Sequence, residues 1–503
     1  MSFLQNEGRQ FYDVPVTLTT QLPQTPQKGM VDISRHSPLT STESVPRLKL
    51  SAHYVSQSVF TAPAKQKAVA STSGPLVQVE SRSIGSGKTL SGLDVLAERN
   101  FAPLKGKRVA LLTNHSAITR DGRHMLDLMF GHPNVNLVKI FSPEHGLYGN
   151  VDTKVSDFVE TRTQLMVHSL YGKRPAGEAK PNHPRPKDLD GVDVVVVDMQ
   201  DIGARFYTYC SYMGFMMEEC AKKGVQVIVL DRPNPIGGLY VDGPSLDADL
   251  EGLPTSYMTM PVAHGMTMGE LARMFNAEKN IGCKLTVVKC ENWTRDMFYD
   301  QTGLLWVNPS PNIQDLDAAI VYPGIAITEA IVSMGRGTKE PFHVFGAPYI
   351  KNAKEVVDKV TSAGLDGMRL EVADFTPTGT LAKDHVGERK LCRGARMIIT
   401  DRQKFRSVEL GLRVISYLYN TYGDDYTTNA RTKKLVPVYD IDKLRGPASS
   451  IVVMRIKEKK SLESTLEFIA KQVERFRETR AKYLLYPPFD SPARLANSKR
   501  AKS

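Results

Sequence analysis

Residues 142–146 read Ser-Pro-Glu-His-Gly and follow a mostly apolar run over residues 135–141. The run predicts a buried strand, so Glu144 and His145 would stand side by side where that strand ends. A proline and a glycine break the strand there. A carboxylate next to an imidazole makes a poor core but a workable acid–base pair. In open α/β sheets, ligands sit beyond the carboxyl ends of the strands. Glu144 is therefore the first candidate for chemistry, with His145 beside it. Polar groups recur at the ends of other predicted strands. Asn114 and His115 follow residues 108–113; Gln200, Asp201 and Arg205 follow 192–197; Asp231, Arg232 and Asn234 follow 225–230. In a parallel sheet these ends face one way, so groups far apart in sequence would meet in one cleft. Singly, each has a plainer role: Asp201 as a helix N-cap, His145 as a partner for nearby backbone, Arg232-Pro233-Asn234-Pro235 as a rigid turn. Their convergence is what favours a site.

Acids, a histidine and hydrogen-bonding amides suit the recognition and cleavage of a sugar. Glycoside hydrolysis generally takes a proton donor and a second group acting as base or nucleophile. Glu144, beside a strand end and next to Pro143, would be partly desolvated, as a proton donor requires. Asp201 and Asp231 are candidates for the ionised partner. Arg205 and Arg232 could bind a substrate carboxylate with two parallel hydrogen bonds.

The elements that must position these groups are legible from hydrophobic period. Four valines in a row, Val194 to Val197, fit a strand buried on both faces, as in a parallel sheet. Helical stretches alternate with the strands, one of them running to Lys223 and stopped by Gly224. The alternation predicts a doubly wound parallel α/β sheet over residues 91–340. Thr267-Met268-Gly269-Glu270 is a capping box that opens a helix running to about residue 280, which makes Glu270 a cap rather than a catalyst. A second α+β region is expected over 341–490. Its final helix starts near Ser461, with Leu462, Leu466, Ile469, Val473, Phe476 and Tyr483 on one face. Residues 1–90 are rich in Ser, Thr, Gln and Pro and read as a disordered or extended arm; residues 491–503 read as a basic tail.

Composition narrows the function classes. The chain has 503 residues, 41% apolar and 24% charged, which fits a soluble protein of more than one domain. There is no apolar run of membrane-spanning length and no secretory signal, so a cytoplasmic location is expected, without membrane association. The net charge of +11 is spread out, with no aromatic–basic interleaving, and nucleic acid is not expected as a partner. Five cysteines without a Cys-x-x-Cys argue against both disulfides and a zinc site. Gly85-Ser86-Gly87-Lys88-Thr89 resembles the end of a phosphate loop, but Arg82 stands where that loop needs glycine. No strand is followed by G-x-G-x-x-G, so no dinucleotide or other cofactor is implied.

Several motifs together resemble the exo-β-N-acetylmuramidases, peptidoglycan hydrolases of the NamZ type. They are the segment 142–146, Gln200-Asp201-Ile202-Gly203-Ala204-Arg205-Phe206-Tyr207-Thr208-Tyr209, Leu230-Asp231-Arg232-Pro233-Asn234-Pro235, His264-Gly265-Met266-Thr267, Trp306-Val307-Asn308-Pro309-Ser310-Pro311-Asn312, Tyr322-Pro323-Gly324, Gly335-Arg336-Gly337-Thr338, Gly346-Ala347-Pro348 and Tyr483-Leu484-Leu485-Tyr486. The resemblance spans about residues 92–490. It implies a Rossmann-like domain with a C-terminal auxiliary domain, a cleft between them, and release of N-acetylmuramic acid from non-reducing ends of cell-wall glycans. It places the acid on Glu144, adds His264, Asn308, Glu329 and Arg336 to the expected substrate-binding residues, and assigns the arginines to the muramic carboxylate. The chain departs from the family pattern at Met334, which replaces an acid, at Tyr148 and Ala263, which replace arginines, in a loop one residue short between Glu329 and Ser333, in an altered loop before Ser169, and in showing none of the export signal expected of family members that act on cell wall. These departures and the long arm support a second expectation. The chain would then be a non-catalytic relative whose residues 1–90 bind a larger assembly, such as a cytoskeletal filament.

Overall fold

The computed structural model describes residues 78–80, 87–150, 154–172, 182–362, 364–383, 385–428, 435–437 and 440–487. The expected N-terminal arm lies outside the described residues except for 78–80 and 87–90, and the expected basic tail lies wholly outside them. The main sheet contains β1 (Gln78–Glu80), β2 (Arg108–Thr113), β3 (Asn136–Ser142), β4 (Phe158–Val159), β5 (Met166–Ser169), β6 (Val194–Asp198), β7 (Gln226–Leu230) and β8 (Leu285–Val288). Their order is β1-β8-β7-β6-β2-β3-β5-β4, and every pair is parallel except β4 with β5. Without the short edge strands β1 and β4, this is the doubly wound Rossmann order, reversing between β2 and β6.

The central strands are buried on both faces, as the valine run predicts. Val109, Leu111, Val194 and Val196 join an apolar cluster with Leu93, Leu96, Met125 and Met129 on one face. Ala110, Leu112, Val195 and Val197 join a second cluster on the other face, with the helices Tyr209–Lys223 and Met268–Glu278. This alternation is the period of two that a strand imposes on its side chains. Register fixes the strand ends. Thr113 pairs with Asp198 and Leu112 with Phe141, so the loops after β2, β3 and β6 leave the same edge of the sheet.

The predicted strands are all present, with ends displaced by one or two residues. The capping box also forms: the Thr267 side chain accepts from the Glu270 backbone, and the Glu270 side chain accepts from that of Thr267. Gly224 ends the helix Tyr209–Lys223 in the left-handed conformation, at φ 68°. The last helix is Leu462–Ala481, capped by Ser461, and it buries Ile469, Val473 and Phe476. Tyr483 lies just beyond its end, so its phenol instead reaches Glu278 at 2.6 Å.

A second, antiparallel sheet is formed by β9 (Val344–Ala347), β10 (Met368–Phe375) and β11 (Cys392–Ile399), in the order β10-β11-β9. Its buried residues Phe345, Ala395 and Met397 belong to the same apolar cluster as the inner face of the main sheet. The helix Leu316–Ile325 contributes Ala318, Val321 and Ile325 to that cluster. All five cysteines are buried thiols, and no helix among the described residues is long and apolar enough to cross a membrane.

Candidate active site

Glu144 lies two residues beyond β3 and reaches a cleft of about 670 Å³, within the range of small-molecule sites. The chain reverses sharply there. His145 and Gly146 both take the left-handed conformation, at φ 68° and 73°, and the Gly146 amide donates to the Pro143 carbonyl at 3.1 Å. A non-glycine residue in that conformation is uncommon, and here it aims neighbouring side chains into one space. Both Glu144 and His145 line the cleft. Thr208 lines it too, at the start of the helix Tyr209–Lys223, and its hydroxyl donates to Glu144 Oε2 at 2.8 Å.

Tyr171, Phe206, Tyr207, Thr255 and Ser310 also line the cleft, and the remaining wall comes from residues after 320. Tyr322 packs edge-on to Phe342 at 5.0 Å and to Tyr207 at 6.1 Å, and lies 5.5 Å from Phe206. Burial raises the Tyr322 phenol well above its ordinary range, so it stays protonated and available as a donor. Glu329 Oε1 is 3.3 Å from Arg336 Nε and 3.4 Å from His385 Nδ1. The Arg336 guanidinium also stacks over Phe342 at 5.1 Å. Arg336 is delivered by a turn between Gly335 and Gly337, both at positive φ; a side chain at 337 would collide with the Thr378 carbonyl. Lys443 completes the charged lining. No group of three or more His, Cys, Asp or Glu side chains among the described residues is arranged to hold a metal ion.

Several residues expected to bind substrate lie beneath the cleft rather than in it. Arg232 pairs with Asp198 at the end of β6, with Nε–Oδ1 at 2.5 Å, and donates to the Ile118 carbonyl. It therefore plugs the crevice at the switch point, where a Rossmann sheet ordinarily binds its ligand. Asp231 accepts from the Arg232 and Gly269 amides, the Thr267 hydroxyl and the Tyr486 phenol. Burial pushes its carboxyl up to about 6, against the opposing pull of the Tyr486, Gly269 and Thr267 donors. Asn234 bridges Met266 and Ile236, and Gln200 donates to the carbonyls of Asp201 and Pro233. Asn114 accepts from the backbone and hydroxyl of Ser116.

Asp201, expected as the ionised partner, is enclosed: it accepts from the Gly203 amide and lies 3.5 Å from the buried His264. It does not cap a helix either, since the next one starts at Tyr209. Arg205 is fully buried and grips no carboxylate. It donates to the carbonyls of Gly446, at 3.3 Å, and Pro447, at 2.9 Å, and burial pushes its guanidinium down to about 10. Gly446 and Pro447 themselves line the cleft. His115 and Asn308 sit together in a neighbouring recess, where His115 Nε2 is 2.7 Å from the Asn308 carbonyl.

The two halves around the cleft match known sequences. Residues 109–317 match the family model described as exo-beta-N-acetylmuramidase NamZ, N-terminal, and residues 320–486 match its C-terminal counterpart. The peptidoglycan beta-N-acetylmuramidase NamZ of Bacillus subtilis (strain 168) is 36% identical over 402 residues, 79% of this chain and 92% of that protein. Two crystal structures of DUF1343 family proteins from Bacteroides fragilis are also similar. One has a TM-score of 0.69 at 33% identity, covering 79% of this chain and 99% of the other. The second has a TM-score of 0.59 at 30% identity, covering 80% and 100%. The chain belongs to the exo-β-N-acetylmuramidase NamZ family.

Within the family pattern, many motif residues prove to hold the fold together. The closing segment is an example. Tyr486 reaches Asp231 at 2.6 Å, the Leu485 amide reaches Glu270, and Glu270 pairs with buried Arg295 at 2.6 Å. The three substituted residues also lie away from the cleft. Met334 is buried in the apolar core, Ala263 is buried and bridges Ala204 and Asp242, and Tyr148 is exposed, with its phenol on Glu160 at 3.1 Å. None of the three lines the cleft. Reading the strand ends alone misses Thr208, His385 and Lys443. Thr208 sits between two tyrosines, an aromatic–polar–aromatic pattern that could have flagged it. His385 and Lys443 lie outside regular elements that carry a motif, and nothing local marks them.

Proposed function

We propose that the protein is a glycoside hydrolase that removes β-linked N-acetylmuramic acid from the non-reducing ends of peptidoglycan-derived glycans. The observation that carries this reading is the pair of carboxylates in one cleft: Glu144, oriented by Thr208, and Glu329, flanked by Arg336 and His385. Glu144 gives its proton to the glycosidic oxygen as the C1–O bond breaks. Glu329 is the second group, which either activates the incoming water or attacks C1 itself. It replaces Asp201 and Asp231 in that role, because both of those are buried and neither lines the cleft. Tyr322 and His145 stand at the reacting ring, and Arg336 and Lys443 supply positive charge for a lactyl carboxylate. The match to the B. subtilis enzyme over most of both chains supports the substrate class.

The reading of the chain as a non-catalytic relative loses its main support. Met334, Ala263 and Tyr148 lie off the cleft, while the shortened loop that follows Glu329 borders it, beside Glu329 and Ala330. The arm it invokes is outside the described residues. Hydrolysis of a disaccharide with non-reducing N-acetylmuramic acid tests the proposal. The unmodified protein should turn it over, and Glu144→Gln should lower kcat by about 100-fold or more, as for loss of a general acid. No turnover by the unmodified protein at any pH between about 4 and 9, the span over which a carboxyl pair can act, overturns it.

A further inference from the structure

Three helices of this chain begin at a serine or threonine that caps them in the usual way. Ser91, Thr267 and Ser461 have φ between −62° and −84° and ψ between 151° and 167°, and the side chain of each accepts from a backbone amide of the first turn. Ser449 precedes the helix Ser450–Lys457 and behaves differently. Its ψ of 152° matches theirs, but its φ is 65°, a combination essentially confined to glycine. Its hydroxyl makes no cap, is fully buried and has no hydrogen-bond partner. The residues just before it form the part of the cleft wall that holds Lys443, Gly446 and Pro447. That wall is held down in three ways: by Arg205 on the Gly446 and Pro447 carbonyls, by the burial of Leu444 and Ala448, and by Lys457 on Asp442 at 2.6 Å.

We infer that residues 441–448 are a gate on the cleft and that Ser449 is its hinge. Rotation about the N–Cα bond of Ser449, from φ 65° to the −62° to −84° of the other caps, needs no change in ψ. It leaves the helix Ser450–Lys457 in place, with the Val453 amide on the Ser449 carbonyl at 3.2 Å. The Ser449 hydroxyl then meets the amides of the first turn, as a serine cap does. Everything on the amino side of the bond swings, which carries Lys443, Gly446 and Pro447 off the cleft. Each state holds what the other lacks. The closed state has the Arg205 hydrogen bonds, the Lys457–Asp442 pair and the buried Leu444 and Ala448. The open state has an unstrained backbone, a capped helix and water around a guanidinium that the closed state buries without a hydrogen-bonded anion. A choice between two discrete packings about one terminal residue of a helix is how hinges work. The hinge is a property of the backbone and does not depend on the reaction assigned to the cleft.

Hydrogen exchange of the full chain tests the hinge and needs no substrate. Ser449→Gly removes the strain of the closed state, whereas Ser449→Pro, with φ fixed at about −65°, forbids that state. Exchange over residues 441–448 should slow about tenfold in Ser449→Gly and accelerate about tenfold or more in Ser449→Pro, the effect of the strain that such a backbone holds. The helix Ser407–Tyr422 should exchange alike in all three proteins. Equal exchange over 441–448 in the unmodified protein and Ser449→Gly overturns the hinge. So does a change spread evenly over the chain, which is what relief of static strain gives. Ser449→Gly carries the test even if Ser449→Pro fails to fold. N-acetylmuramic acid, the proposed product, should also slow exchange over 441–448 as it seats against Lys443. Protection around Glu144 and Glu329 that leaves 441–448 unchanged overturns the gate. Protection nowhere counts against the sugar reading alone, and the Ser449→Gly comparison still decides the hinge.

Discussion

At the scale of single residues, the arrangement turns on one hydrogen bond. Thr208 donates to Glu144 Oε2, which fixes the carboxyl rotamer; in the proposed mechanism Oε1 is the oxygen that carries the proton to substrate. A hydrogen bond to an ionised carboxylate contributes about 1.5–3 kcal/mol, and this one strengthens as Glu144 gives up its proton in the proposed reaction, so its loss should be visible in catalysis. Thr208→Val keeps the volume and removes the donor. It should lower kcat/KM on the disaccharide by about 10- to 100-fold with little change in melting temperature. Thr208→Ser should recover most of the activity. If valine and serine behave alike, Thr208 acts through packing and not through its hydroxyl. The same scale explains why the arginines of the strand ends were misleading. A guanidinium reads identically in sequence whether it meets a substrate or, like Arg232, an aspartate of its own chain.

At the scale of elements, the helix Leu316–Ile325 decides where Tyr322 and Glu329 stand. Asp315 caps it through the Ala318 amide at 2.8 Å and also holds His343 at 3.0 Å, tying the helix start to the segment before β9. The helix then crosses Ser407–Tyr422 at backbone contact. A side chain on Gly324 would overlap the Ser407 carbonyl, and one on Gly411 would overlap the Gly324 carbonyl. Glycine is needed at both positions because of that close approach, not because of any unusual φ. Gly411→Ala should therefore destabilise the protein by about 1–3 kcal/mol, as overpacking does. Urea unfolding would measure this. Activity should fall further than stability alone explains, since the displaced helix carries cleft residues. An alanine variant with unchanged midpoint and activity would mean that the helices separate without cost.

At the scale of the whole molecule, the cleft exists because two sheets share one apolar core and clamps reach across it. Arg205 is the most exacting of these clamps. It leaves a strand-end loop of the main sheet and grips the carbonyls of Gly446 and Pro447, more than two hundred residues away, without a carboxylate partner. A buried guanidinium without an anion is costly, so its retention points to the position of that cleft wall. Arg205→Met removes the charge and both hydrogen bonds while keeping much of the volume. KM should rise by about tenfold, kcat should change less, and hydrogen exchange at residues 441–450 should accelerate, at the usual cost of unpaired carbonyls. A fall in kcat at constant KM would instead place Arg205 in the chemical step.

The sequence by itself determined the alternation of strands and helices, the strand ends, the capping box at Thr267 and the place of Glu144 beyond β3. These are local matters of period, turn chemistry and capping, in which neighbouring residues suffice. Only the tertiary structure decided which polar strand ends face the cleft. Asp231, Arg232, Asn234 and Asp201 look like ligand residues in sequence, yet each finds its partners inside the protein. Buried polar groups must be paired, and the partners lie on other elements. Glu329, Arg336, His385 and Lys443 reach Glu144's cleft only because the segments after residue 320 fold around the same apolar core as the main sheet, a proximity no local pattern records.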